Sequence, residues 1–174
     1  MRRIAWINWH YRFGQCGRSN WIDARCHCLV FAKNEQYTWN PEDVLVDSDR
    51  ATVYGDKRIH ETERGGKRVP GTVWGVPSDG QNWGRVQGNN QERRQGHPNQ
   101  LPLVYLARLI RAYTNAGDRV LDPFCGSGTT AAVCQELGRS CHTIDVSSES
   151  LLSTVDRLEN CRDITKSRLF QEVR

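Results

Sequence analysis

The sequence predicts an α/β fold built from strand–loop–helix units, and residues 120–130 carry most of that prediction. A short apolar run ends in Asp122, and Gly126 and Gly128 then open an alanine-rich segment with helical character. Glycines at such a bend let the backbone approach a ligand that a Cβ atom would block. A second strand-like run ends at Asp145. These features together predict a Rossmann-like parallel sheet whose ligand lies at the carboxyl ends of the strands.

The two acidic residues indicate which ligand the crevice holds. The glycine spacing alone also satisfies the dinucleotide fingerprint, but a carboxylate at the position of Asp122 would repel a pyrophosphate. It suits the amine of S-adenosylmethionine, and a charge-assisted contact of this kind contributes roughly 1.5–3 kcal/mol. Asp145 follows Gly128 at close to the ~20-residue spacing of an acid that accepts ribose hydroxyls. The alternative is that Asp145 caps the helix beginning near Ser147.

Residues 1–96 contain two predicted strands and a long segment without regular periodicity. Apolar runs at 4–9 and 26–32 predict the strands. Glycines punctuate the polar, basic segment 37–96, which also contains Trp74 and Trp83. Because a flexible linker would rarely contain two tryptophans, we expect a loop-rich recognition region there.

The periodicity is clearer from residue 97 onward. Apolar residues at helical spacing from Leu103 to Tyr113 predict a helix that packs on the sheet. Gly138 marks the end of the next predicted helix. The later elements are, in order, a strand at 119–122, a helix at 129–137, a strand at 141–145, a helix from about 148 to 160, and a tail at 161–174 that is expected to fray.

Composition narrows the class of protein. A chain of 174 residues has the size of one domain, and a net charge of +4 permits a nucleic-acid partner without requiring one. Seven cysteines are an odd number without a disulfide spacing pattern, so reduced thiols in a cytoplasm fit best. Cys26, His27 and Cys28 lack the paired spacing of zinc ligands, and we expect no metal site. No apolar stretch approaches the ~20 residues that cross a bilayer.

Two motifs resemble those of the amino-methylating DNA methyltransferases, which modify N4 of cytosine or N6 of adenine. Asp122 to Thr130 match the family's Asp-Pro-Phe-x-Gly-Ser-Gly-Thr-Thr, and residues 97–102 match its His-Pro-x-Gln-x-Pro element. The order of these elements is that of the permuted, beta-type members. The resemblance is close over 97–150 and loose over 1–37. It implies an S-adenosylmethionine-dependent methyltransferase sheet with a DNA recognition insert, acting on double-stranded DNA in a prokaryotic or phage-type restriction–modification setting.

One departure from the family changes the expected activity. The family's catalytic motif is Asp, Asn or Ser followed by Pro-Pro and an aromatic residue, whereas no two of the six prolines here are adjacent. In the permuted order that motif belongs upstream of residue 1. We therefore expect a truncated or split enzyme, inactive alone, with a sheet gap of about 10 Å. It would depend on a complementary N-terminal fragment or on self-association. The alternative is a non-catalytic remnant that binds S-adenosylmethionine or DNA.

The resemblance also suggests the site residues, none of them catalytic. Those expected to bind the cofactor are Asp122, Phe124, Gly126, Ser127, Gly128, Thr129, Asp145, Asn99 and Gln100. For several of them a structural role is the alternative. Phe124 would be a core aromatic, Ser127 and Thr129 would cap a helix, and the element at 97–102 would only shape a turn.

A basic, amide-rich segment supplies the expected DNA contacts. Arg85, Arg93 and Arg94 are candidates for phosphate contacts, and Asn89 and Asn90 for adenine edges. A solvated surface is the alternative for each. The predicted organisation is end strands at 1–36, target recognition at 37–96, cofactor binding at 97–160 and the tail at 161–174.

Overall fold

The computed structural model describes residues 1–15, 19–75 and 84–160, and for residues 12–15 it describes the backbone only. The chain forms two compact units, Met1–Gly84 and Arg85–Arg174. The predicted recognition region at 37–96 spans the division between them, and its role stays a prediction. Trp83 and the predicted tail lie outside the described residues.

The first unit is organised around a long antiparallel strand pair. Strand β1 (Arg2–Gln15) pairs with β2 (Asp23–Ala32), and Trp6 lies opposite Leu29. Side chains alternate along β1, so that Ile7 and Trp9 are buried while Trp6 is half exposed. The strands predicted at 4–9 and 26–32 are thus confirmed and extend further than their apolar runs.

Short elements follow in the described part of this unit, as expected for a loop-rich segment. They are, in chain order, a 3-10 helix at Pro41–Val44, strand β3 (Val46–Asp47), helix α1 (Asp49–Thr52), a 3-10 helix at Lys57–Glu61, and strands β4 (Lys67–Arg68) and β5 (Val73–Trp74). Strand β3 pairs with β4, and β5 adds to the free side of β1 in parallel. Trp74 is buried there, and its indole Nε1 donates to the Gly71 carbonyl at 2.8 Å. This tryptophan is therefore a core residue of the sheet.

The second unit alternates helices and strands. Its elements are, in order, α2 (Leu103–Tyr113), β6 (Arg119–Asp122), α3 (Thr129–Glu136), β7 (Ser140–Thr143) and α4 (Ser148–Glu159). Strands β6 and β7 are parallel, and Asp122 lies opposite Thr143. All five predicted elements are confirmed, although β7 ends two residues before the predicted strand does.

A small apolar core joins these elements. Leu103, Ala107 and Ile110 of α2 pack against Ala132, Val133 and Cys134 of α3, and Val120 and Cys141 contact this cluster from the two strands. Burial raises the pKa of the Cys134 thiol to about 12, which makes it an inert core group. On the opposite face of β6, Leu121 is 64% exposed, and Ile144, the residue after β7, is 55% exposed. No helix within the described residues is both long and apolar enough to cross a membrane.

Replacing a core leucine tests this packing. Leu103 is fully buried, so Leu103→Ala should lower the free energy of unfolding by about 2–5 kcal/mol. Leu152→Ala is the matched control, because Leu152 is 70% exposed and its truncation should change stability by no more than about 0.5 kcal/mol. Urea unfolding followed by far-UV circular dichroism measures both. Equal effects of the two substitutions would contradict the assigned core.

Candidate functional site

A cleft of about 500 Å³ opens at the carboxyl end of β6, inside the second unit. It is lined by residues 97–101, Leu106, Leu121, Asp122, residues 124–127, Thr129 and Thr130. The predicted cofactor residue Gly128 does not line it. Small-molecule sites typically have volumes of about 300–1,000 Å³. The cleft brings together the two sequence motifs, which meet at the end of the parallel strands.

Asp122 is the last residue of β6 and lines the cleft. Its Oδ1 accepts a hydrogen bond from the backbone N–H of Phe124 at 3.1 Å, which orients the carboxylate at the strand tip. Phe124 also lines the cleft and is 86% exposed. The alternative that Phe124 is a core aromatic is therefore wrong.

The bend that follows requires its glycines. Gly126 has a φ of +48° and Gly128 a φ of +71°, in the left-handed region that side chains disfavour. A Cβ on Gly128 would also lie 2.8–3.0 Å from atoms of Thr154 on α4. The bend can therefore approach α4 this closely only because residue 128 has no side chain.

The hydroxyl residues of the bend are engaged within the protein. The Oγ of Ser127 and the Oγ1 of Thr129 are hydrogen-bonded at 3.0 Å, and both residues are buried. Thr129 Oγ1 also accepts from Arg157 Nη1 at 2.9 Å. The N-cap of α3 is Gly128, and no side chain caps it. The alternative in which Ser127 or Thr129 caps α3 is therefore wrong.

Asp145 ties the bend to the start of α4. Its Oδ2 accepts from the backbone N–H of Gly126 at 2.8 Å, and its Oδ1 accepts from that of Ser147 at 2.9 Å. The Ser147 and Gly126 hydrogen bonds hold the pKa of Asp145 below its usual value. Ser147, not Asp145, caps α4, since its Oγ accepts from the N–H of Ser150. Asp145 does not line the cleft, and its ribose contact stays a prediction.

The segment 97–102 before α2 is held in place by hydrogen bonds of the Gln100 and Glu92 side chains. Gln100 is buried, with Nε2 donating to the Glu92 carbonyl at 2.6 Å and Oε1 accepting from the Arg94 N–H at 2.9 Å. Glu92 in turn accepts from the N–H of Leu103 at 2.9 Å, at the first turn of α2. Gln100 thus lines the cleft while its amide shapes the turn. Asn99 is exposed and lines the same cleft.

The predicted DNA-binding residues separate into two groups. Arg93 is exposed, as are Asn89 and Asn90, and the Arg93 Nη1 donates to the Gly88 carbonyl at 3.0 Å. Arg94 instead forms an ion pair with Asp156 of α4 at 3.5 Å, and only 23% of its side chain is exposed. Arg85 is half-buried. Of the three arginines, Arg93 is thus the most accessible to a phosphate.

Sequence reasoning missed Arg157. It is fully buried on α4, and its Nη1 donates to the Ser127 carbonyl as well as to Thr129. A single arginine in a helix is usually exposed to solvent. The available signal was the helical spacing of Ser150, Thr154 and Arg157, the three buried residues of α4.

Comparison with known proteins identifies the family. A family model described as DNA methylase, for N6 and N4 methyltransferases, matches residues 2–155. The chain belongs to this DNA methylase family. It is 32% identical over 157 residues to the type II methyltransferase M.HpaI of Haemophilus parainfluenzae, covering 90% of this chain and 45% of that protein. It is 38% identical over 132 residues to the DNA adenine methyltransferase YhdJ of Escherichia coli (strain K12), covering 74% of this chain and 41% of the relative. The chain thus spans about half the length of these curated relatives.

Solved structures show the same fold. The PvuII DNA methyltransferase (cytosine-N4-specific) superimposes with a TM-score of 0.63 at 16% identity, over 96% of this chain and 55% of that one. The M1.HpyAVI–SAM complex gives a TM-score of 0.58 at 21% identity, over 90% of this chain and 62% of that one. The predicted family and the Rossmann-like methyltransferase fold are confirmed.

The hydrogen bonds of Asp145 predict a dependence of stability on pH. Because its folded-state pKa lies below the ordinary value of 3.8, the ionised carboxylate stabilises the fold above that pH, and this stabilisation is lost as the pH falls through the folded-state pKa. Asp145→Asn should therefore be less stable than the wild type near neutrality, with a difference that shrinks below 3.8. Urea unfolding over a pH series measures this difference. A difference that stays constant into strong acid would contradict the assignment.

Proposed function

We propose that the protein is an S-adenosylmethionine-dependent DNA methyltransferase that modifies the exocyclic amine of cytosine (N4) or adenine (N6). The observation that carries this proposal is the carboxylate of Asp122 at a strand tip beside a two-glycine bend, in a cleft of about 500 Å³. Membership of the DNA methylase family supports it. Relatives that act on DNA, and a structural neighbour described as a SAM complex, agree with the same assignment.

The residues of the cleft fit this cofactor. Asp122 offers an anionic group to the methionyl amine, and the exposed ring of Phe124 offers a flat apolar surface to the adenine. Asn99 adds an amide at the rim, and Gly126 leaves the backbone open to close approach. When bound, the cofactor would supply a methyl group activated by a sulfonium.

The chain's own residues account for one of the two requirements of the reaction, the binding of the methyl donor. They bind and orient the methyl donor, and amine methylation requires little beyond such positioning, since no covalent enzyme intermediate is needed. The base must also be held outside the DNA stack beside the donor. The sequence has no adjacent prolines and hence no copy of the family's base-holding motif. We place that function in a segment other than these 174 residues, so that the chain alone is inactive.

The exposed face of the parallel strands supports a complementary fragment as the partner. Parallel sheets are usually covered on both faces. Here one face packs on the apolar core, while Leu121, which also borders the cleft, is 64% exposed and Ile144, directly after β7, is 55% exposed. Among the described strands, β6 pairs only with β7, which leaves one edge of β6 open. A fragment that adds strands to this edge and covers this face would complete the sheet. Self-association is the other way to cover it.

DNA is the proposed substrate, and the loop around Arg93 is the proposed contact. Its exposed guanidinium suits a phosphate, and the neighbouring Asn89 and Asn90 suit base edges. Arg85 is a further phosphate candidate, whereas the ion pair of Arg94 with Asp156 favours a structural role for that residue. We assign target recognition to 37–96 and cofactor binding to 97–160, in a protein of the bacterial cytoplasm.

Neutralising the strand-tip carboxylate tests the cofactor assignment. Asp122→Asn should weaken S-adenosylmethionine binding by about 10- to 100-fold, because a charge-assisted contact is lost. Glu136→Gln is the matched control, since Glu136 is exposed on α3 and does not line the cleft. Isothermal titration calorimetry measures both affinities. Unchanged affinity in Asp122→Asn would remove this residue from the site.

Complementation tests the activity. By itself, the chain should transfer no tritiated methyl group from S-adenosylmethionine to DNA. Mixed with a polypeptide that carries the family's Pro-Pro motif, it should transfer the methyl group. Methyl transfer by the chain alone would contradict the proposed need for a partner. Cofactor binding without transfer in the mixture would favour the non-catalytic binding module, the second candidate function.

The salt dependence of DNA binding tests the loop around Arg93. Each phosphate contact contributes about 0.9 to the slope of log K against log salt, so Arg93→Ala should reduce the slope by about that amount. Arg119→Ala is the control, because Arg119 is exposed at the opposite end of β6 from Asp122. Fluorescence anisotropy with a labelled duplex provides the affinities. Equal slopes for the Arg93 variant and the wild type would exclude the contact.

A further inference from the structure

The buried face of α4 is polar. Ser150, Thr154 and Arg157 are its buried residues, at helical spacing, whereas Leu152 and Val155 are 70% and 50% exposed. A helix on a protein core normally buries its apolar stripe. Arginine is almost never fully buried unless it is paired or hydrogen-bonded, because removing its charge from water is costly. A buried face with this composition therefore indicates that its side chains form specific hydrogen bonds, which apolar residues could not form.

That face contacts the glycine bend at four of its residues. Arg157 Nη1 donates to the Ser127 carbonyl at 3.0 Å and to Thr129 Oγ1 at 2.9 Å. Thr154 packs against Gly128, and its Oγ1 donates to Cys125 Sγ at 3.5 Å. Neither Thr154 nor Arg157 lines the cleft, whereas Cys125, Ser127 and Thr129 do. The helix thus supports the bend from outside the cleft.

We propose that Arg157 is a positioning residue for the cofactor site, a proposal that rests on the function proposed above. The bend contains two glycines with positive φ, and glycine loses more conformational freedom on ordering than any other residue. Asp145 restrains the bend at Gly126, and Arg157 restrains it at Ser127 and Thr129. A bend ordered before binding does not have to be ordered by the ligand, and this raises affinity.

Lysine does not replace arginine in this role. A guanidinium presents several N–H groups in a rigid plane, and one nitrogen here serves a carbonyl and a hydroxyl together. A lysine ammonium keeps the charge but not that planar geometry. The proposal therefore predicts that Arg157→Lys retains only part of the effect and that Arg157→Met loses all of it.

The test combines hydrogen exchange of the full chain without cofactor and calorimetric titration with S-adenosylmethionine. In Arg157→Met, amides in the peptide spanning 123–131 should exchange about tenfold faster or more, and the Kd should rise by about 10- to 100-fold. Arg157→Lys should show smaller changes of both kinds. Thr129→Val, which removes one acceptor at nearly constant volume, should speed exchange of the same peptide. Because Thr129 itself lines the cleft, its exchange rate and not its Kd tests the proposal. If Arg157→Met does not fold, these two milder variants decide.

Leu158→Ala is the matched control on the same helix, because Leu158 packs on the apolar core instead of the bend. It should lower the melting temperature yet leave the Kd and the exchange of the 123–131 peptide close to the wild type. If the Arg157 variants lose only melting temperature, as Leu158→Ala does, Arg157 is merely structural and the proposal is overturned. If the wild type binds no S-adenosylmethionine, the proposed function fails instead. The exchange data then still show whether Arg157 orders the bend.

Discussion

The site depends on a tight bend between β6 and α3 that only glycine can form and that other residues must hold. Gly126 and Gly128 both have positive φ, and Gly128 lies so close to α4 that a Cβ there would overlap Thr154. A bend with this freedom would not remain ordered by itself. Asp145 and Arg157 hold it through backbone and hydroxyl groups, and so leave the carboxylate of Asp122 as the charge that lines the cleft. The carboxylate at the cleft and the groups that restrain the bend thus belong to different residues.

The opposite wall of the cleft follows the same arrangement. Gln100 and Glu92 use their side chains to bond backbone groups of residues 92–94 and the start of α2. This turns the segment before α2 into an ordered wall and leaves Asn99 open to the cleft. In both walls, backbone groups of the loops are thus hydrogen-bonded by side chains from other positions, of which Gln100 and Arg157 are buried.

The second unit combines a well-packed core with an exposed sheet face. Alanine and cysteine on α3 allow α2 to approach closely, and Val120 and Cys141 complete that side. The other face exposes Leu121 and Ile144, which is unusual for parallel strands. Leu121 also borders the cleft, so the exposed side of β6 and the proposed cofactor site adjoin each other.

Local sequence by itself determined the elements and the anionic strand tip. Periodicity located α2 and α3, and the order of Asp122, Gly126 and Gly128 indicated the bend and its ligand, because these signals depend only on near neighbours. Tertiary structure decided which polar side chains line the cleft and which form hydrogen bonds that support the protein. Gln100, Arg94 and Arg157 were ambiguous in sequence because their hydrogen-bond partners lie on other segments, and for Arg157 the partners are 28 and 30 residues away. Trp74 likewise became a core residue only when β5 paired with β1.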